Sequence, residues 1–260
     1  MSSRLIAPKA LEPAGKVIHA ALQDWGRGSM SRAGGNRQVF VTISRQPGAG
    51  AVPFSHRLAE RLHEDFRRGP EWSVWDHELI ERVAAEEGIS QRLIELIEER
   101  PHSWLTELLE SFSSSHGMQH AAELHLYKRV AMTIRALAQA GHAIIVGQGS
   151  RFVTAHMTGG IHLRLVAPVD FRVKCMAENL QLTLREAADR VDELDHNRVR
   201  FFARYWPGKS LAPEMFTMTL NSAEMSMDEM VDCVVPLISG REAATKRTSA
   251  ASRGAVLASH

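Results

Sequence analysis

The feature that most constrains the fold is residues 39–50, where an apolar run meets a glycine-rich turn. Residues 39–43 read Val-Phe-Val-Thr-Ile, which is typical of a buried strand, and Gly48 and Gly50 follow shortly after. Large apolar residues then recur every four positions, at Phe54, Leu58 and Leu62. A strand, a glycine turn and a helix in this order form a phosphate cradle, because backbone N–H groups and the helix N-terminus attract anions. The segment therefore predicts the first βα unit of a nucleotide-binding domain.

Strand-like runs alternate with helical periodicity through the rest of the core. The predicted strands are residues 39–43, 73–75, 143–146, 161–166 and 216–220. This alternation predicts βαβ units and a parallel sheet that is covered by helices on both faces. The third run reads Ala-Ile-Ile-Val without polar alternation, which indicates a central buried strand.

Helix boundaries are predicted by capping signals. Thr183 with Glu186, and Ser226 with Glu229, have the spacing of capping boxes at helix starts. Gly141 is predicted to end the long helix that precedes the third strand.

The chain is predicted to have a core with two polar ends. We expect residues 1–36 to be a flexible leader and residues 37–240 to form the folded domain. Residues 241–260 are mainly Ala, Ser, Thr and Arg, so we expect a disordered tail that buries too little apolar surface to offset ordering entropy. Within the core, residues 77–141 show only helical patterns, which we interpret as a helical substrate-binding insertion.

Composition argues against several classes of partner. The formal net charge is +1 and no concentrated basic face is evident, so nucleic acid is not an expected partner. No apolar run approaches the roughly 20 residues that span a bilayer, so we expect no membrane partner. Cys175 and Cys233 lack metal-binding spacing and suit a reducing cytoplasm, which is the predicted location. The pattern leaves the oligomeric state open.

Glycine or polar residues follow most of the predicted strands. The segments are Ser44–Gly50, Asp76, Gly147–Arg151, Ala167–Asp170 and Asn221. Ligands bind beyond the carboxyl ends of the strands in open parallel sheets. The sequence therefore predicts a site for phosphates and sugars at this edge.

Four segments carry a resemblance to a known family. They are Thr42–Gly50, Asp76–Ile80, Asp195–Arg198 and Leu220–Met230, which look like a phosphate loop, an acceptor-nucleotide segment, a lid, and a last strand with its closing helix. Together they resemble the cytidylate kinases, and more closely the cytidylate kinase-like proteins of bacteria, over about residues 38–238. The resemblance implies a three-layer α/β/α fold of P-loop NTPase type, with a five-stranded parallel sheet, a helical acceptor-binding insertion and a helical lid.

The resemblance also implies a reaction and its residues. Such kinases transfer the γ-phosphoryl group of ATP, with Mg²⁺, to CMP or dCMP, by positioning and charge neutralisation. The implied donor-binding residues are Ser44, Gly48, Ala49, Gly50 and Ala51. The implied catalytic residues are Arg45, Asp195 and Arg198. The implied acceptor-binding residues are Asp76, Gly147, Gln148, Arg151 and Arg172.

The loop departs from the usual phosphate cradle directly after its last glycine. The usual cradle continues with a lysine for the phosphates and a hydroxyl for Mg²⁺, whereas residues 51–53 are Ala-Val-Pro. The acceptor arginine expected in the third-strand turn is Gln148, which can hydrogen-bond but cannot neutralise a phosphate. Arg45 could supply charge instead, and Ser44 or Ser55 could approach a metal. The sequence thus leaves two alternatives: an active phosphotransferase, and a catalytically weak or inactive nucleotide-binding regulatory module.

Some candidate residues have simpler interpretations. Asp76 is also favourable as a helix N-cap, and Asp195 with Arg198 has the i,i+3 spacing of a surface ion pair. His116, His120, Glu123 and His125 could in principle face one ligand, but clustering by chance is easy among 13 histidines, and we predict no metal site.

The kinase hypothesis makes one structural prediction that can be checked directly. If arginines replace the missing lysine, then Arg45, Arg151, Arg172 and Arg198 should converge within reach of residues 48–52.

Overall fold

A computed structural model describes residues 38–66, 71–85 and 121–257 of the chain. Its strands are β1 (Phe40–Arg45), β2 (Ser73–Trp75), β3 (Ala143–Val146), β4 (Gly160–Val166) and β5 (Met218–Asn221). Its α-helices are α1 (Ala51–Asp65), α2 (His77–Ala85), α3 (Ala121–Ala140), α4 (Ser150–Val153), α5 (Val169–Leu180), α6 (Leu184–Tyr205) and α7 (Met227–Leu257), and a short 3₁₀ helix covers Pro213–Met215.

The five strands form one parallel sheet in the order β2-β3-β1-β4-β5. The predicted five-stranded parallel sheet is confirmed, and the predicted second and third strands coincide with β2 and β3. β1 lies at the centre, where Val41 pairs with Ile144 on one side and Ser44 pairs with Arg164 on the other. The glycine loop after β1 therefore lies in the middle of the carboxyl edge.

Helices cover both faces of the sheet, so the predicted three layers are also confirmed. On one face, α1 and α7 bury a stripe of apolar residues against β1, β3 and β4. This stripe includes Phe54, Leu58, Leu62, Val234 and Ile238. On the other face, α3 and α4 contribute Ile134, Leu137 and Phe152 to a second core, which also contains Trp206, the residue after α6. The hydrophobic effect of these two cores fixes the helices around the sheet.

The predicted helix boundaries are confirmed at three places. The Thr183 hydroxyl accepts a hydrogen bond from the backbone N–H of Glu186, whose carboxylate accepts one from the N–H of Thr183. Ser226 and Glu229 make the same reciprocal pair before α7. Gly141 takes a left-handed φ of 76° directly after α3, which a glycine adopts without strain.

The last helix extends beyond the predicted end of the domain. The sequence predicts a disordered tail from residue 241, but residues 241–257 belong to α7. Arg241 donates a hydrogen bond to the carbonyl of Gly160, and the buried carboxylate of Glu242 lies 3.1 Å from Nε2 of His142. These polar contacts hold the start of this segment against the sheet. The prediction of a disordered tail considered only apolar content, so it did not include them.

Some predictions lie outside the described residues. These are the leader at 1–36, most of the helical insertion (residues 86–120) and the histidines at 116 and 120. In the ranges that the structure does cover, three or more metal-binding side chains come together nowhere. None of the helices in those ranges has the length and apolar character needed to cross a membrane.

Candidate nucleotide site

The loop between β1 and α1 lies at the carboxyl edge and is tied to the end of β4. The backbone N–H of Gln46 donates to the carbonyl of Leu165 at 3.0 Å, and its side-chain oxygen accepts from the N–H of Ala167 at 2.9 Å. These bonds hold the loop against the end of β4.

The two glycines give this loop the backbone geometry of an anion cradle. Gly48 has a φ of 80°, and a Cβ there would lie 2.5 Å from the carbonyl oxygen of Arg172, so the loop packs tightly on α5. Gly50 has a φ of 74° and open space around its Cα. Ala51 and Val52 then begin α1, whose first N–H groups have no partner within the helix. Such a turn at a helix N-terminus attracts phosphate oxygens.

The start of α1 lacks the side chains that usually hold a metal beside the phosphates. Pro53 occupies the first turn, where its missing N–H costs little. The hydroxyl of Ser55 is fully buried and donates to the carbonyl of Val52 at 2.7 Å, so it faces the core. Ser44 is also buried. The residues at this turn therefore fit the phosphate groups of ATP, but they do not fit a Mg²⁺ site of the usual loop type.

Arg172 connects the loop to the two helices that follow β4. Its side chain is buried, and its Nη1 donates to Oδ2 of Asp195 at 2.8 Å and to the carbonyl of Pro47 at 3.3 Å. Its Nε has no hydrogen-bond partner among the described residues. Because α6 carries Asp195, this ion pair places the predicted lid beside the cradle.

Arg198 lies one turn further along α6 and faces other arginines. Burial, followed by the charge of Arg45, lowers the pKa of Arg198 to about 9, and Arg164 and Arg172 act in the same direction. Asp195 opposes this shift, although its ion pair is with Arg172 rather than with Arg198. Four guanidinium groups thus share one region with an excess of positive charge, which is an environment suited to an anion.

Arg164 is the member of this cluster that the sequence analysis missed. It lies on β4 opposite Ser44, with its guanidinium carbon 5.5 Å from the centre of the Phe216 ring. Burial lowers the pKa of Arg164. The available signal was an arginine within the apolar run Leu-Arg-Leu-Val, close to the carboxyl end of the predicted strand.

Arg45 lies over the turn after β3. Gly147 has a φ of 83°, and a Cβ at this position would overlap Nη1 of Arg45 and lie 2.8 Å from its Cζ. The guanidinium group therefore occupies the space that a side chain at residue 147 would need. Burial lowers the pKa of Arg45, and the charge of Asp76 partly opposes this shift.

The turn after β3 is held in an unusual backbone conformation. Gln148 and Gly149 have φ values of 55° and 69°, so residues 147–149 are all left-handed. The carbonyl of Gln148 accepts a hydrogen bond from the hydroxyl of Tyr127 at 3.0 Å, and that hydroxyl accepts one from Nε1 of Trp206 at 2.9 Å. Since Trp206 follows α6, this chain of contacts connects the turn to the lid.

The sequence that contains this site matches a known protein family. The sequence profile of the cytidylate kinase-like family matches residues 40–224, which extend from β1 to the residues just after β5. The chain belongs to the cytidylate kinase-like family. It is therefore a kinase-like nucleotide-binding protein, as the order of its motifs predicts.

One solved structure shares the fold of this family member at low sequence identity. An uncharacterized protein from Eubacterium ventriosum ATCC 27560 is 17% identical, with a TM-score of 0.57, over 78% of this chain and 99% of that one. The crystal structure of APE1195 is 16% identical, with a TM-score of 0.43, over 79% of this chain and 97% of that one. No curated protein shows a significant sequence match.

Of the four arginines expected to converge within reach of residues 48–52 in this kinase-like chain, Arg172 lies against the loop, beside Gly48 and Pro47. Arg45, Arg172 and Arg198 lie in one electrostatic cluster. Arg151 does not join them, because its Nε donates to the carbonyl of Met215 and its charge acts on His162 further back in the sheet. The expectation that Arg151 lies beside the cradle is therefore corrected.

Asp76 and Gln148 lie on the β2–β3 side of the cluster. One oxygen of Asp76 accepts from the N–H of Leu79 at 2.9 Å, so the helix-cap interpretation is confirmed. The amide nitrogen of Gln148 lies 2.5 Å from Nδ1 of His77 and donates to Glu81 at 3.2 Å. The edge beside β2 therefore presents neutral and acidic hydrogen-bonding groups next to the guanidinium of Arg45.

Proposed function

We propose that the protein transfers the γ-phosphoryl group of ATP to a nucleoside monophosphate, with CMP and dCMP as the first acceptors to test. The observation that carries this proposal is a glycine cradle at the carboxyl edge of a parallel sheet, with Arg172 packed against it and Arg45, Arg164 and Arg198 in electrostatic contact in the same region. Family membership supports the same class of reaction.

The donor phosphates are proposed to lie on residues 48–51. The backbone N–H groups of Gly48, Gly50 and Ala51, at the N-terminus of α1, would bind the β- and γ-phosphates, whereas the N–H of Ala49 donates to the carbonyl of Gln46 at 3.2 Å. Arg172 lies against this loop through Pro47, and its unpartnered Nε is available to an oxygen of the donor. Asp195 would then orient Arg172 rather than act on the substrate.

The transfer step is proposed to depend on charge neutralisation by arginines. An acceptor phosphate oxygen forms a bond to the γ-phosphorus while the bond to the β–γ bridging oxygen breaks, and ADP leaves. Arg198 and Arg164 would neutralise the equatorial oxygens of the transferring group, since they face the same region. ATP and Mg²⁺ are expected from the family, but the loop gives the ion no side-chain ligand, so the arginines carry more of the charge.

A second candidate function is a nucleotide-binding module without efficient transfer. The specific observation in its favour is the pair Val52 and Pro53, which provide neither a cation nor a hydroxyl at the start of α1. Either candidate is expected to bind nucleotides in the cytoplasm, where ATP and nucleoside monophosphates occur, and neither requires nucleic acid or a membrane.

One pair of measurements separates the two functions. ADP formation from ATP and Mg²⁺ is measured with CMP, dCMP and a panel of other nucleoside monophosphates, and the melting temperature is measured with each nucleotide. The transferase predicts acceptor-dependent ADP formation. The module predicts a raised melting temperature without consumption, because a ligand that binds the native state stabilises it. A folded protein that shows neither response at millimolar nucleotide contradicts both.

A further inference from the structure

The side chain of Arg45, the last residue of β1, extends to the turn that follows the neighbouring strand β3. β1 lies between β3 and β4 in the sheet, so a side chain at its carboxyl end can turn to either side. The guanidinium of Arg45 turns towards β3 and occupies the space above Gly147. It therefore does not replace the loop lysine, which would have to reach residues 48–52.

The guanidinium of Arg45 lies near residues of three other parts of the fold: the end of β2, the turn after β3, and α6. Arg45 interacts electrostatically with Asp76, which follows β2, and with Arg198, which lies on α6. Gln148, in the turn after β3, is the immediate neighbour of Gly147 and has no charge. A guanidinium between a lid arginine and a neutral turn is suited to bind an anion with two or more oxygens.

The cluster has two flanks on either side of β1. On the β4 side, Arg172 and Asp195 lie against Pro47 of the cradle, where the donor is proposed to bind. On the β3 side, Arg45 lies with Asp76, away from that loop. A second phosphate-bearing ligand, placed in line with the donor, would approach from this β3 side.

We propose that Arg45 binds the phosphate monoester of the acceptor nucleotide, and that Gly147 is required because only a residue without Cβ leaves room for this guanidinium. This inference rests on the proposed function and assigns the acceptor side of the same site. Arg45 then supplies, from β1, the cation that Gln148 does not provide from the β3 turn.

The primary test measures binding rather than turnover. The affinities of the full chain for CMP, for cytidine and for ATP are measured by calorimetry, before and after Arg45→Gln. A charge-assisted contact predicts a loss of about 10- to 100-fold in CMP affinity. Cytidine has no phosphate, so its affinity should stay unchanged, and the affinity for ATP should change less than about threefold.

A second variant and a rescue experiment test whether the position of the Arg45 guanidinium is required for CMP binding. Gly147→Ala keeps Arg45 but removes its space, so it should weaken CMP in the same selective way. Adding Gln148→Arg to Arg45→Gln should recover part of the lost CMP affinity, because it returns a cation to the same side of the sheet. Arg190→Gln is the matched control, since Arg190 is exposed and pairs with Glu193 elsewhere on α6. Each variant is compared with the wild type by thermal unfolding, to confirm a folded chain.

The outcomes distinguish this inference from the proposed function. Equal losses for CMP and ATP, a loss for ATP alone, no loss for CMP, or a wild-type chain that does not bind CMP would each overturn the inference. A selective loss of CMP affinity in a protein without transfer activity supports the inference and contradicts the transferase. Transfer to CMP with a KM that Arg45→Gln leaves unchanged supports the transferase and contradicts the inference.

Discussion

The carboxyl and amino edges of the sheet differ in the contacts that their polar side chains make. At the carboxyl edge, Arg45, Arg164, Arg172 and Arg198 lie together, and the Nε of Arg172 is unpartnered within the described part of the chain. Towards the amino edge, two buried or half-buried histidines have partners. Nδ1 of His162 lies 2.7 Å from the hydroxyl of Thr42, and Glu242 contacts His142.

This difference indicates which edge of the sheet binds a ligand. An excess of like charges in one region opposes the folded state, and a bound anion reduces that cost. Buried polar groups that are already paired need no ligand. The carboxyl edge is therefore interpreted as a binding region, whereas the amino edge contributes to stability.

The largest effect is expected for Gly48→Ala. The substitution places a Cβ 2.5 Å from the backbone carbonyl of Arg172 at a left-handed φ, so the loop must move away from α5. A displacement of about 1 Å at such a site can cost about 10²-fold in rate, and we expect a loss of that order in both ATP affinity and transfer. Calorimetry and a coupled ADP assay measure these two quantities.

Gly50→Ala is the matched control for that variant. Gly50 shares the left-handed φ but has open space around it, so the substitution should cost only the backbone strain of about 1–2 kcal/mol. The interpretation of the cradle is wrong if both glycine variants weaken ATP equally.

A smaller effect, confined to activity, is expected for Arg198→Met. Loss of one charge contact to the transferring group should lower kcat by about 10²-fold, at the lower end for such contacts, and should leave ATP affinity unchanged. The free energy of unfolding should stay unchanged or rise, because burial and the charges of Arg45, Arg164 and Arg172 all disfavour a charge at residue 198 and so lower the pKa of Arg198. Steady-state kinetics and urea unfolding are compared on the same sample.

Arg190→Met, on the same helix, should change neither quantity strongly. Its exposed ion pair with Glu193 contributes at most about 1 kcal/mol. If Arg198→Met instead lowers stability and activity together, Arg198 has a structural role and the contrast between the two edges fails.

The smallest effect is a pH dependence of stability that arises on the amino side. Burial lowers the pKa of His162 to about 3, with Arg151 and Arg241 acting in the same direction. Between about pH 3 and 6.5 the unfolded chain binds the proton at this residue and the folded chain does not. The free energy of unfolding should therefore rise with pH across that window, by at most about 1.4 kcal/mol per pH unit from this group.

Urea unfolding between pH 4 and 8 checks this slope. His162→Gln should lose its share of the pH dependence, whereas His156→Gln, which changes an exposed histidine, should keep the wild-type slope. If His162→Gln keeps the wild-type pH dependence of the free energy of unfolding, then the imidazole of His162 is not neutral in the folded wild-type chain.

Much of the fold could be predicted because its signals are local. The apolar runs at 73–75 and 143–146 coincide with strands, and the capping pairs at Thr183 and Ser226 start helices. The position of the cradle was also predictable, since Gly48 and Gly50 follow a strand and precede a helix. Each of these signals depends on residues that are close in the chain.

The composition of the arginine cluster could not be predicted in full. Arg151 was expected in it and binds the carbonyl of Met215 instead, whereas Arg164 was not expected and joins it. Similarly, the contact of Glu242 with His142 extends order into a segment whose own residues predict a tail. All three outcomes depend on partners that are distant in sequence.

The sequence by itself thus determined the order of strands and helices, the glycine cradle and the edge of the sheet that carries the site, because hydrophobic period and backbone freedom are properties of short segments. Only the tertiary structure decided where each guanidinium points. An arginine head group lies several rotatable bonds from its backbone, and its direction is set by what surrounds it: the space above Gly147 for Arg45, and the carboxylate of Asp195 for Arg172.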